Sequence, residues 1–292
     1  MSSLTAYLRH GWDGDAPALA VARDGARVVA VLEVELPRWD NRHLGSVDVT
    51  VDPVRRRERL GSRLFEAGVE QVRADGRTVV AAGGYDSAAT VGFAKSQGLD
   101  WASEEVERRQ DLLALDQLAL DELRADAERA SAAYDLVRLP SWTPPAGLAD
   151  VVRLTSAIND APTDDLDVED EVFSAPRIRA FEVAQLAQGR RMYRLAARER
   201  TTGALVGQTL VGVHGELPDF GEQYDTSVVP EHRGHRLGLR LKLGMLSWLA
   251  EREPQLRVVN TWNAATNDHM IAVNDALGYR VVARATVWQR HL

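Results

Sequence analysis

An α/β fold, with a mixed α+β sheet laid down twice along one chain, is predicted by three observations. Runs of β-branched and aromatic residues alternate with helical patterns through the sequence. A strand, a tight arginine- and glycine-containing loop and a helix follow one another at Glu222–Leu239. The same unit occurs upstream, where Val47–Gly61 aligns without a gap on Tyr224–Gly238 at an offset of 177 positions, so that Arg56 falls on Arg233. That alignment also matches Asp48 with Asp225, Val51 with Val228, Pro53 with Pro230, Arg59 with Arg236, Leu60 with Leu237 and Gly61 with Gly238. Such an internal repeat implies two tandem copies of one domain. We expect them at 1–113 and 134–292, with a helical segment at 114–133 between.

Each element has its own warrant. Residues 1–17 are broken by Gly11, Gly14 and Pro17. Ala18–Arg23 and Arg27–Leu36 flank Asp24-Gly25, a turn dipeptide that favours a hairpin. Leu44–Val51 is a third strand that ends before Pro53, which cannot donate to a ladder. A helix then opens at Arg56–Gly61 with Leu64, Phe65 and Val69 on its apolar side. Next come a strand at Thr78–Ala82, a helix at about Ala88–Gln97 closed by Gly98, and two short strands at Leu99–Trp101 and Glu105–Leu112. Asp116–Ala133 is helical, either a linker or the last helix of the first copy.

The second copy is longer. It opens with a strand at Tyr134–Leu139 and helices at Leu148–Asn159 and Ser174–Gln188, the latter with Ser174 as N-cap and Gly189 past its end. A hairpin, Arg191–Arg198 and Leu205–Val213, leads into the Glu222–Val229 strand. Beyond the loop helix lie a strand at Arg257–Thr261, a helix at Asn267–Leu277 and a last strand at Thr286–His291. The first copy lacks the opening strand and the two helices, which predicts an open sheet edge that the second domain or a second chain would cover. Gly45 falls where the second copy has Glu222.

Composition excludes several functions. A net charge of −8 and a pI near 5.5 argue against a nucleic-acid partner. No apolar run approaches the roughly 20 residues of a membrane span, and the first residues lack a basic-then-apolar signal, so no membrane partner and a cytoplasmic location are expected. With no cysteine, a cysteinyl acyl-enzyme is excluded and any acyl transfer is direct or uses another nucleophile. His232 and His235 have no third ligand beside them in sequence, and no metal is expected. The acidic run from Asp160 to Glu171 is expected to be a solvated loop. Lys95 and Lys242 are the only lysines.

The central loop aims backbone N–H groups and the positive end of a helix dipole at one spot, and Gly234 and Gly238 let the main chain approach what sits there. That spot suits a phosphate. Neither a P-loop nor a dinucleotide fingerprint is present. Arg233-x-x-Arg236-x-Gly238 instead resembles the acyl-CoA pyrophosphate loop of the GNAT superfamily of N-acetyltransferases, Arg/Gln-x-x-Gly-x-Gly/Ala, with Arg236 in place of a glycine. Asn267 through Gly278-Tyr279 resembles the family's Asn-x-x-Ala-x-x-x-Tyr-x-x-x-Gly-Phe segment, with Asn274 where the family has tyrosine. The element order matches as well, and the tandem arrangement is similar to that of mycothiol synthases.

The resemblance implies an acyl-CoA-dependent N-acyltransferase, acetyl-CoA being the expected donor, that acts on a primary amine by direct attack in a ternary complex. It implies that the donor is held by Ser227, Val228 and Val229, by Arg233, Gly234, His235, Arg236, Leu237, Gly238 and Leu239, and by the amides of Asn263 and Asn267. Val51, Arg56, Arg59 and Gly61 are the first copy's equivalents. Glu222 stands where the family carries its carboxylate base, and the N–H near Val228 is the implied oxyanion donor. Asn274 cannot act as the tyrosine would, which leaves Tyr279, Tyr224 or water to protonate the thiolate. The acceptor is a small-molecule or peptide amine, cationic if the acidic run lines its entrance. The competing expectation is a CoA-binding sensor or scaffold without chemistry. The first copy is expected to be mainly structural, and a homodimer is left open.

Overall fold

The computed structural model describes residues 3–292. The first copy contributes α1 (Ser3–His10), β1 (Ala18–Asp24), β2 (Arg27–Glu35), β3 (Leu44–Val51), α2 (Leu60–Ala74), β4 (Val79–Tyr85), α3 (Ala88–Ser96) and β5 (Asp100–Asp111), and α4 (Gln117–Ala130) follows. The second contributes β6 (Tyr134–Leu139), α5 (Leu148–Ser156), α6 (Ala175–Ala187), β7 (Arg191–Glu199), β8 (Leu205–Val213), β9 (Phe220–Val228), α7 (Leu237–Arg252), β10 (Val258–Ala264), α8 (Asp268–Ala276) and β11 (Arg280–His291). Among the described residues no helix is long and apolar enough to cross a membrane.

All the strands join one mixed sheet in the order β1-β2-β3-β4-β11-β5-β10-β9-β8-β7-β6. At its centre the copies exchange strands. β5 runs antiparallel to β11, and its Glu105–Asp111 half pairs with β10 of the second copy. In return, Ala285–His291 of β11 pairs with β4 of the first. The two short strands expected at Leu99–Trp101 and Glu105–Leu112 are therefore one strand, and the last strand starts at Arg280 rather than Thr286. Neither segment contains a Gly, Pro or Asn to turn the chain back, so each runs on into the other copy.

One further expectation is corrected, since the first copy does carry a helix ahead of its hairpin. Residues 3–10 form a helix, and the turn after it is held by the second copy: Gln185 Nε2 donates to Trp12 O at 2.9 Å and Gln188 Nε2 to Gly11 O at 3.0 Å. The acidic run is a loop whose acidic side chains are exposed except that of Asp164, as expected, and its backbone straps it to the first copy. Asp167 N donates to Gln289 Oε1 and Glu169 N to Asn41 Oδ1, at 2.8 and 2.7 Å, while Val172 N donates to Asp40 Oδ2 at 2.8 Å. The edge strand β1 lies open within this chain, with Leu19 and Val21 43% and 44% exposed.

Each copy has its own core. Leu32, Val47, Phe65 and Val72 anchor the first and Leu154, Leu195, Leu237 and Leu241 the second. Full burial of one such side chain is worth about 1.5–3 kcal/mol. Helix α4 packs Leu120 and Ala127 against Leu239, Leu243 and Leu277, which joins the intervening helix to α7 and α8.

Candidate active site

Strand β9 parts from β10 early. Only Phe220–Glu222 pairs in parallel with Val258–Asn260, and beyond them the β10 side of β9 has no ladder partner. On its other side, Gln223 faces Val211 and Thr226 faces Thr209, so Tyr224 and Asp225 together oppose Leu210. This is a β-bulge, which kinks a strand and re-aims its side chains. As a result two consecutive residues, Tyr224 and Asp225, line one cavity of about 100 Å³. Gly212 makes room for the bulge, since a Cβ there would lie 2.9 Å from Tyr224 Cε2.

Glu222 lies just before the bulge in a network of its own. Its Oε2 accepts from Tyr224 Oη at 2.9 Å and lies 3.2 Å from His214 Nε2 and 3.3 Å from Arg190 Nη2. Burial pushes its pKa up, but the His214 hydrogen bond and the Arg190 charge outweigh this and hold the carboxyl below its usual range. Asp225 is the opposite case. Among the described residues no group donates to its carboxylate, and burial raises its pKa against the pull of Arg194 and Arg177. The only sign of Asp225 in the sequence is its match with Asp48 in the repeat.

The cavity is closed by both copies. Trp12 and Asp13 precede β1, while Glu171, Phe173, Arg177 and Phe181 come from the strap and α6. Trp12 meets Tyr224 and Phe181 edge to face, with ring centroids 4.8 and 5.3 Å away. Arg177 gathers three carboxylates, Asp13 at 2.8 Å, Asp40 at 2.5 Å and Glu171 at 2.7 Å.

The loop at the start of α7 stands beside this opening. Gly234 has φ 82° and Arg236 φ 54°, so Arg236 holds a left-handed backbone at a cost of about 1–2 kcal/mol. Arg233 Nε donates to Val228 O at 3.0 Å and its guanidinium pairs with Asp160; Arg236 pairs with Asp126. Ser227 Oγ donates to Leu154 O at 2.7 Å, while Val229, Leu237 and Leu239 are buried in the core. His235 leans on the Tyr134 ring and His232 Nδ1 lies 3.0 Å from Tyr134 Oη. Asn267 Oδ1 caps α8 through Met270 N at 3.2 Å.

The position of the family's tyrosine is built differently. Asn274 is fully buried, accepts from Lys242 Nζ at 2.6 Å and donates to Asn263 Oδ1 at 2.8 Å. Burial pushes Lys242 down to about 7. The signal was in the sequence, because one of only two lysines sits on an otherwise apolar helix stripe. Tyr279 lies under Lys242 in the cluster beneath α4, 2% exposed, with burial driving its pKa well above the ordinary value. It lines a small cavity together with Gln223 of β9 and Val259 of β10.

The first copy repeats the frame and the early parting of its parallel strands, but not the bulge. Leu44–Ser46 pairs with Val79–Ala81, which makes Ser46, not Gly45, the counterpart of Glu222. β2 and β3 run in unbroken register, with no bulge. Arg57 and Arg59 take φ 70° and 62°, the conformations of Gly234 and Arg236. Arg56 is exposed, Val51 is half-buried, and a Cβ on Gly61 would lie 3.2 Å from the Phe93 ring.

A strand pair that parts beside a bulge, next to an anion-type loop opening a helix, defines the acetyltransferase fold expected above. The chain is similar to a tandem GNAT protein from the clavulanic acid biosynthesis pathway, with 30% identity over 99% of this chain and 87% of that one and a TM-score of 0.81. On that evidence it belongs to the GNAT superfamily, the GCN5-related N-acetyltransferases. The fold is shared with GCN5-related N-acetyltransferases from Sphaerobacter thermophilus, at 14% identity, 97% and 83% coverage of this chain and that one and a TM-score of 0.69, and from Kribbella flavida, at 12%, 99% and 95%, and 0.58. No protein-family model and no curated protein matches the sequence.

Proposed function

We propose that the second copy transfers an acyl group, acetyl in the first instance, from CoA to a primary amine by direct attack in a ternary complex. The observation that carries this is a coincidence on β9: its ladder to β10 ends where a bulge turns Tyr224 and Asp225 into a cavity, and the Arg233–Gly238 loop follows. A thioester arm between the parted strands would place its pyrophosphate at the start of α7 and its carbonyl near the Val228 main chain. The amine would enter from the cavity side.

The base we assign is Asp225 rather than Glu222. Glu222 is engaged by His214, Tyr224 and Arg190, and its lowered pKa makes it a weak proton acceptor. Asp225 has no donor among the described residues, and its raised pKa brings it closer to a working pH. In the reaction the ammonium gives one proton to Asp225 and the nitrogen attacks the thioester carbon. As the C–S bond breaks, the nitrogen loses its second proton and the thiolate takes it up through water, so that the N-acyl product and CoA thiol leave and Asp225 returns its proton to solvent.

Thiol release from acetyl-CoA across a panel of amines tests this. Saturable release with an N-acetyl product is expected for at least one amine. CoA binding without turnover on any amine would favour the sensor reading, which the non-tyrosine Asn274 motivates.

A further inference from the structure

Two charged side chains in the cavity are left without a close counter-charge. Arg194, on β7, is 5% exposed and lines the cavity. Its Nη1 donates to Gln208 Oε1 at 2.6 Å, and among the described residues it makes no ion pair. Asp225 lines the same cavity and has neither a hydrogen bond nor an ion pair among those residues. Each feels the other's charge, yet they do not meet. Arg177 differs, since three carboxylates already surround it. Buried charges are costly unless paired, and a cavity holding one of each sign at a separation suits a ligand that carries both.

Size narrows the ligand further. The cavity measures about 100 Å³, and one of about 150 Å³ accepts a benzene. A single ammonium-and-carboxylate head fits, whereas a folded peptide chain does not. Phe173, Phe181 and Trp12 supply apolar walls for a short side chain.

The geometry points to a small amino acid-like zwitterion as the acceptor, its carboxylate on Arg194 and its amine at Asp225. The inference rests on the acyltransferase reading, because the amine held at Asp225 is the one that is acylated. The carboxylate of the ligand supplies the anion that Arg194 lacks, and the first copy supplies part of the wall through Trp12.

The experiment compares L-amino acids with their decarboxylated amines and their amides, by thiol release with acetyl-CoA and by calorimetry without it. The amino acids should show kcat/KM at least about tenfold higher, the loss expected when a charged hydrogen bond is removed. Arg194→Met should erase that preference while CoA binding persists. Should Arg194→Met fail to fold, Arg194→Lys keeps the charge but loses the planar fork, and should reduce the preference. Equal rates for amino acids and decarboxylated amines would overturn the inference and leave the acyltransferase standing. Amino-acid binding that Arg194→Lys weakens, with no turnover on any amine, would uphold the zwitterion site and overturn the reaction. Absence of amino-acid binding and of amino-acid turnover would overturn the inference.

Discussion

The strand pairs β3–β4 and β9–β10 both part after three residue pairs, but in the first copy a carboxylate crosses the gap, whereas in the second a hydroxyl does. Thr261 Oγ1 donates to Gln223 O at 3.2 Å, and the matched carboxylate is left free of the gap. Asp48 Oδ1 accepts from Gly83 N at 2.9 Å, so a carboxylate from one strand bonds the main chain of the other where they would part. Its counterpart Asp225 turns into the cavity instead. The change comes from one added residue in β9, which makes Tyr224 and Asp225 share the place opposite Leu210. The loops tell the same story. Glu58, at the position of His235, puts a carboxylate into the first copy's loop and pairs with Arg55 at 2.8 Å, which opposes a phosphate there. A duplicated frame can thus keep its backbone and lose its site through a residue of register and a reversed charge.

The comparison breaks most readily at the matched aspartates. Asp225→Asn should lower kcat/KM by about 10²–10⁴-fold, the usual worth of a positioned base, whereas Asp48→Asn should leave it within about twofold. Because the Asp225 carboxyl is raised, wild-type kcat/KM should fall on the acid side at a pH above the ordinary carboxylate range, and Asp225→Asn should remove that limb. An unchanged pH–rate profile in Asp225→Asn would return the base to Glu222.

The loops give the next effect. Arg233→Ala should weaken CoA binding by about 10–100-fold, as expected for a charge-assisted hydrogen bond, and Arg56→Ala should leave it unchanged in calorimetry. The salt bridge that Arg233 makes with Asp160 is exposed and adds little to stability. Equal losses from the two variants would show that both copies hold the donor.

The smallest effect on turnover, and a test of stability, lies at the helix position where the first copy has Phe65 and the second Lys242. Lys242 has its folded pKa depressed from 10.5 to about 7. Between those values the unfolded chain binds a proton that the folded chain does not, so stability should rise with pH across that window. Below it both forms are protonated and the full cost of the buried charge remains. Lys242→Met should raise the unfolding free energy at neutral pH, on the order of a few kcal/mol, and flatten the rise. Denaturant titrations at pH 6 and pH 10 would show it, and a wild-type curve flat between them would refute the depressed pKa.

Much of the frame was legible in the sequence because turn chemistry and periodicity are local. Asp24-Gly25, Pro53 and Pro230 placed the hairpin and the strand ends, and the arginine and glycine positions placed the loop. The bulge was not legible, because the gapless alignment is anchored in the loop and hides one extra residue upstream of it, which also put Gly45 opposite Glu222. Nor was the partnership of Arg194 with the cavity, since a burial pattern does not reveal a missing counter-ion. The strand exchange had left a signal: Asp100–Asp111 and Arg280–His291 contain no Gly, Pro or Asn.

That exchange orders events during synthesis. The place between β4 and β5 is filled by β11, which is the last strand to be made. The ribosome needs roughly ten to forty seconds to carry the chain from the end of β5 to the end of β11. Until the second copy's strands arrive, one edge of β4 and both edges of β5 lack their partners in what will become the middle of the sheet, the kind of surface that recruits stray chains. Pairing of the first copy is thus completed only by Arg280–His291, made long after its own strands.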